Sequence, residues 1–261
     1  MKTRLTLVAM AFAAMAAALV AAEESADADA SSADQPPGSE EAEAPAPASV
    51  ADVLRATVAR FPREPVALSG SLILRRQAGV IVREVPFTLF LDWGAEPAKA
   101  ECVLLDSFGR TLNVMRVTRP ADGAVETSYF DGAGVRLPTP GLAEPVAGTD
   151  ISWLDISLSY LWWTDGRLLA PETFKGALCD IAEMRPPQPI PGCASVRLWI
   201  DRKRGFLRKA EQFDESGKCV RWMWVASVGK INDRWMIRNL EVKRPGTGLQ
   251  TKLHVDDLEA P

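Results

Sequence analysis

From residue 66 onward, apolar side chains fall at every second position in one segment after another. Leu68, Leu72 and Leu74 alternate with smaller or polar neighbours over residues 66–76, and Val85, Phe87, Leu89, Leu91 and Trp93 do so over residues 80–93. Period two marks a strand with one covered face. Pro86 inside the second segment suits an edge or a bulge. Further strands are expected at 98–105, 111–117 and 125–130, and, after an interruption, at 177–184, 195–201, 206–213, 218–228, 234–242 and 249–256. Arg202-Lys-Arg-Gly205 and Asp214-Glu-Ser-Gly217 place glycine where a tight hairpin needs positive φ. Ile231-Asn-Asp-Arg234 is a similar turn.

Two segments break this rhythm. Val50, Val53, Leu54 and Val58 recur at helical spacing over residues 50–61, ahead of Pro62. Residues 148–163 predict a second helix, apolar almost all the way round. Ile151, Leu154, Leu158, Leu161 and Trp162 form one stripe, and Trp153, Ile156, Tyr160 and Trp163 fill much of the rest. Such a helix must be covered on several sides. It either packs as core against a sheet or lines and covers a cavity for an apolar ligand. The class is mainly β. About eleven antiparallel strands joined by short turns twist and curl, and an unclosed barrel with the apolar helix against its concave face satisfies the pattern.

The N-terminus sets the compartment. Lys2 and Arg4 precede an apolar run over residues 5–20, and Val20-Ala-Ala22 offers small residues for cleavage after Ala22. This is the pattern of a secretory signal peptide, with an uncleaved anchor as the alternative. No cysteine lies near the cleavage point, so a lipid anchor is not expected and the exported form should be soluble. Residues 23–49 are rich in Ala, Pro, Ser and acids and contain no Lys or Arg, the composition of a disordered spacer. Residues 50–261 form one domain.

The formal charge is −4 for the whole chain. It becomes −6 without Lys2 and Arg4, and +2 for the domain once the spacer's eight carboxylates are set aside. A nearly neutral domain excludes nucleic acid as the expected partner, which would call for a basic stripe. Four cysteines, Cys102, Cys179, Cys193 and Cys219, match no zinc spacing. In an oxidising compartment they permit disulfides in three full pairings. Cys179 and Cys193 flank the proline-rich turn 185–192 and are the candidate bridge, while Cys102 and Cys219 lie in apolar strand patterns.

Catalytic motifs are absent. The single histidine, His254, alternates with Leu253 and Val255 and so belongs to the opposite, exposed face. Neither a Gly-x-Ser-x-Gly elbow nor a phosphate-cradling glycine loop occurs. No cofactor or metal is expected, and an enzyme is not. Asp201 and Asp214 sit where strands turn. Asp155, in the middle of the apolar segment, is better explained by a salt bridge or a hydrogen bond at a cavity mouth than by acid–base chemistry. The positive signal is tryptophan: Trp93, Trp153, Trp162, Trp163, Trp199, Trp222, Trp224 and Trp235. Trp222 and Trp224 share a strand face with Val220, Ala226 and Val228, a face suited to a cavity.

The run 196–218, with Trp199-Ile-Asp201, a glycine turn, Leu207, Glu211-Gln-Phe-Asp214 and Gly217-Lys218, resembles the central hairpins of the outer-membrane lipoprotein-sorting proteins, the LolA-like family. Asp155 with Trp162-Trp163, the Cys179 strand and Trp235–Val242 are similar as well, so the resemblance covers about residues 147–258. It implies an unclosed antiparallel barrel with a helical lid, a hydrophobic cavity that shields acyl chains, and a periplasmic carrier of acylated lipoproteins or lipids. Inner-membrane donor and outer-membrane acceptor proteins would be its partners. The expected cavity and lid residues are Phe87, Leu89, Leu91, Trp93, Leu154, Leu158, Leu161, Trp162, Leu198, Trp222 and Trp224. The family's early-strand arginine that holds the lid has no match here, although Arg75, Arg76 and Arg83 lie nearby. A non-catalytic envelope sensor or scaffold of the same fold is the second expectation.

Overall fold

The computed structural model describes residues 47–76, 79–120, 125–232 and 234–259. The expected signal segment 1–22 and the expected spacer up to residue 46 lie outside the described residues.

Helix α1 (Val50–Ala59) starts where Ser49 caps it, its hydroxyl accepting from the Asp52 amide at 3.2 Å. Val53, Leu54 and Thr57 form its buried stripe. Strands β1 (Val66–Arg76), β2 (Ile81–Asp92), β3 (Ala98–Leu105), β4 (Thr111–Arg119), β5 (Glu126–Asp131) and β6 (Arg136–Leu137) make one half of a meander. After a non-strand stretch, β7 (Asp165–Phe174), β8 (Ala177–Arg185), β9 (Ser195–Asp201), β10 (Leu207–Phe213), β11 (Cys219–Ile231), β12 (Arg234–Lys243) and β13 (Leu249–Glu259) make the other. All thirteen join in one antiparallel sheet ordered β6-β5-β4-β3-β2-β1-β13-β12-β11-β10-β9-β8-β7. β1 and β13 zip the halves together, and β6 and β7 remain unpaired to each other. The barrel is therefore unclosed.

Period-two burial carries through. Leu68, Leu89 and Cys102 lie side by side across β1, β2 and β3, and Val196, Leu198 and Ile200 continue the wall on β9. The β1–β13 pairing needs Gly70 at a bulge: a Cβ there would overlap the His254 carbonyl and meet the Phe87 ring at 3.0 Å.

Two strands were not expected from the pattern. β6 has only two residues. β7 is the free edge, so most of its side chains are exposed and it shows no covered-face alternation. Pro171 fits such an edge.

The continuous helix expected over 148–163 is broken. Residues Val146–Gly148 form a 3₁₀ turn, Ser152 pairs with Pro145 in a bridge, and α2 (Trp153–Ser157) lasts five residues. Leu158 then turns left-handed (φ 45°), and Ser159–Trp162 form a second 3₁₀ turn. The reason is coverage. A straight helix would turn one of its two apolar sides away from the single concave wall. The breaks bring both sets inward: Ile151, Trp153, Leu154, Ile156, Leu158, Tyr160, Leu161 and Trp163 all join the main core.

Candidate functional site

The segment 146–163 plugs the concave face and is held there by polar contacts at three points. The deepest is Asp155. Its Oδ2 accepts from the Ser152 amide at 2.7 Å, the Ser152 hydroxyl at 2.8 Å and Arg221 Nη1 at 2.7 Å. Arg221 Nη1 also donates to the Ser152 hydroxyl. The side chains of Arg221 and Asp155 are 6% and 8% exposed, so this is a buried ion pair fixing α2 to β11. Asp155 thus serves as a structural ion-pair partner and as half of a capping box.

The second point is Asp150, whose carboxylate accepts from the Thr251 hydroxyl at 3.3 Å and lies 3.9 Å from Arg244. Burial pushes its pKa up, outweighing Arg244 and Thr251. The third is Arg83 on β2, which donates from Nη1 to the Ala147 carbonyl at 2.8 Å. An early-strand arginine therefore does touch the start of the plug, at an exposed site that the sequence alone did not single out. Beneath the plug little space remains: the void beside Leu154, Asp155, Tyr160 and Arg221 is about 10 Å³.

The accessible space is at the barrel's mouth. A cleft of about 730 Å³ opens between α1, the β2–β3 turn, the end of β4 and residues 161–164. Leu54, Val58 and Phe61 form one wall, Trp93 and Trp162 the other. Trp93 and Trp162 stack with centroids 5.7 Å apart and an interplanar angle of 22°, and Phe61 leans on both at 6.0 Å. Arg119 lies over the Trp162 ring, 4.4 Å from its centroid.

The expected site residues separate into three groups. Trp93, Leu161 and Trp162 meet in the mouth cleft. Phe87, Leu89, Leu91, Leu154, Leu158 and Leu198 are buried in the core, the plug packed on the wall. Trp222 and Trp224 are a correction. They point to the outer face, and the inward positions of β11 are Arg221 and Met223. The inward slot at Arg221 is set by Asp155, while the outward tryptophans are screened by the β7–β8 hairpin, whose Lys175 Nζ donates to the Val225 carbonyl at 3.0 Å. There Trp222, Trp224, Phe174, Lys175, Lys209 and Lys243 border a groove of about 290 Å³, and Lys209 Nζ sits 4.0 Å from the Trp199 centroid.

A Cys179–Cys193 bridge is a second correction. All four cysteines are free. Cys179 belongs to a small outer cluster with Ile181 and Trp199, whereas Cys193 is in the main core. Strand β8 runs from residue 177 to 185 between them, so Cys179 and the loop holding Cys193 lie at opposite strand ends, about 20 Å apart at the usual rise, far beyond disulfide reach. His254 lies on the outer face, its Nδ1 2.7 Å from Asn239 Oδ1.

Sequence reasoning missed Arg119 and Arg221. Both share strand parity with buried neighbours, Met115 and Val117 for the first and Met223 for the second. A charged residue on the apolar side of an alternating strand was the available signal.

An unclosed antiparallel barrel plugged by an apolar segment is the LolA-like fold, and this chain has it. A LolA superfamily protein from Nitrosomonas europaea is similar over 82% of this chain and 94% of its own, with a TM-score of 0.56 at 14% identity. A domain from Vibrio parahaemolyticus described as outer membrane lipoprotein-sorting aligns over 80% of this chain and 91% of its own, with a TM-score of 0.67 at 17% identity. A DUF1329 family protein from Desulfovibrio piger aligns over 80% and 90%, with a TM-score of 0.66 at 16% identity. The model of a family described as “-like: Uncharacterized protein” matches residues 135–260. No curated protein matches the sequence. Among the described residues, no helix is long and apolar enough to cross a membrane.

Proposed function

We propose that the protein is a periplasmic carrier that shields the acyl chains of lipoproteins or lipids for transfer toward the outer membrane. The observation that carries this reading is the plug. The concave wall is covered by a separate apolar segment, not by sheet, and that segment is held by one buried ion pair and two further, more exposed polar contacts while carrying left-handed Ala147 and Leu158. Non-glycine residues in that conformation cost about 1–3 kcal/mol each. Withdrawing the plug would offer Phe87, Leu89, Leu91 and Leu198 to a ligand.

The energetics are those of competition. An acyl chain gains about 0.8 kcal/mol per buried CH₂, so a dozen carbons gain roughly 10 kcal/mol before ordering costs. The plug's own apolar side chains set the opposing term. Their return to the wall favours release, and an acceptor with a better cavity makes transfer a difference of affinities. No covalent step is involved.

The test is native mass spectrometry on exported, detergent-free protein, before and after incubation with an acylated lipopeptide. An added mass that dissociates as an acylated molecule supports the carrier. A clean apo mass in both samples overturns it and leaves a non-catalytic envelope sensor or scaffold, the reading that the near-absence of space under the plug favours.

A further inference from the structure

Two arginines of the concave face, Arg221 and Arg119, stand in opposite circumstances. Arg221 has its carboxylate, Asp155. Arg119, the last residue of β4, lies at the mouth on the same face, and no carboxylate among the described residues pairs with it. Its Nε is sealed from solvent and bonded to nothing. Burial alone lowers its pKa to about 10. A desolvated guanidinium without a counter-charge is costly, and stacking on Trp162 compensates only in part.

Two more donors on this cleft lack an acceptor. Trp93 Nε1 and Trp163 Nε1 are both sealed from solvent without a hydrogen-bond partner, and Trp163 as a whole is 4% exposed. Glu96, the carboxylate on the cleft wall, has a partner of its own. The mouth therefore combines an apolar cleft with a shortage of negative charge and of acceptors. Its volume of about 730 Å³ is that of a small-molecule site. A stacked guanidinium leaves its N–H edge for a planar or tetrahedral oxyanion, the geometry in which arginine binds phosphate.

We propose that Arg119, seated on Trp162, is a head-group site that selects amphiphiles whose phosphodiester head carries a net negative charge over zwitterionic ones, their acyl chain running along Leu54, Phe61 and Trp93. This rests on the carrier reading of the concave face, at whose mouth the cleft lies. It adds that the cargo is chosen by charge at the mouth as well as by chain length inside.

The experiment titrates the delipidated exported protein with lyso-phosphatidylglycerol and lyso-phosphatidylcholine of equal chain length, below their critical micelle concentrations, by calorimetry and tryptophan fluorescence. Inorganic phosphate serves as a head-only probe. One charge-assisted contact corresponds to a preference of about tenfold or more for the anionic lipid. Arg119→Met should erase that preference and leave the zwitterionic affinity within about twofold, while Arg119→Lys should keep part of it. Circular dichroism of each variant verifies folding, and the Lys variant carries the test if Met does not fold. Phosphate should compete only at far higher concentration than the lipid. Equal wild-type affinities, or an anionic preference that survives in Arg119→Met, overturn the head-group site and leave the carrier reading intact. Binding of neither lipid overturns both. Binding of the anionic lipid only after removal of residues 23–46 makes that acidic segment the occupant and overturns the assignment.

Discussion

Replacing Arg221 by methionine removes one side of the buried pair that fixes the plug. Methionine fills comparable space, so the perturbation is mainly electrostatic. Asp155 would keep its two bonds from Ser152 but lose the cation 2.7 Å from Oδ2, at a site where both side chains are under 10% exposed. Breaking such a pair from one side costs about 3–5 kcal/mol, because a charge stays buried without its partner. For a domain of this size each kcal/mol lowers Tm by about 2–4 °C, so the expected drop is roughly 6–20 °C. Adding Asp155→Asn removes the stranded charge while its carbonyl oxygen still accepts from the Ser152 amide. The double variant should return to within about 1–2 kcal/mol of wild type. Urea unfolding of the two single variants, the double variant and wild type closes the cycle. Hydrogen exchange should show residues 153–163 opening faster in Arg221→Met than the amides of β1–β4. A single-variant loss below about 1 kcal/mol, with no recovery in the double variant, refutes the claim that this pair holds the plug.

Asp150 gives a pH signature. Burial raises its pKa above the ordinary 3.8, so the native protein holds this proton more tightly than the unfolded chain. Its ionised form therefore costs stability at neutral pH, and that cost disappears as pH falls below the unfolded value. Asp150→Asn should be more stable than wild type at pH 7 and equal to it at about pH 3; a loss at pH 7 would mean that the Arg244 contact outweighs burial. The thiols offer a direct count. Denatured protein handled without reductant should titrate all four cysteines with Ellman's reagent, and in the native state Cys102 and Cys193 should stay silent at pH 8, since burial pushes both up to about 12. A shortfall in the denatured count would restore a disulfide.

The sequence by itself determined the sheet. Strand positions, hairpin turns and the concave rows of β1–β3 are local properties, since a period-two pattern fixes which side chains share a face wherever the strand finally lies. It also marked 148–163 as the foreign element and Asp155 as a residue that calls for a salt bridge or a hydrogen bond rather than acid–base chemistry. Tertiary structure decided what depends on coverage. Whether the apolar segment runs straight or breaks at Leu158 depends on how many sides a single wall can cover. Edge strand β7 has no covered face for a pattern to record. On β11, hydrophobicity alone puts Trp222 and Trp224 inside. The fold instead turns Arg221 inward, because a carboxylate 66 residues away in the chain lies opposite it. Arg119 follows the same logic: its inward parity was legible at the end of β4, but the stacked ring, the orphaned donors and the apolar walls come together only when α1, β2, β4 and the plug meet at one mouth.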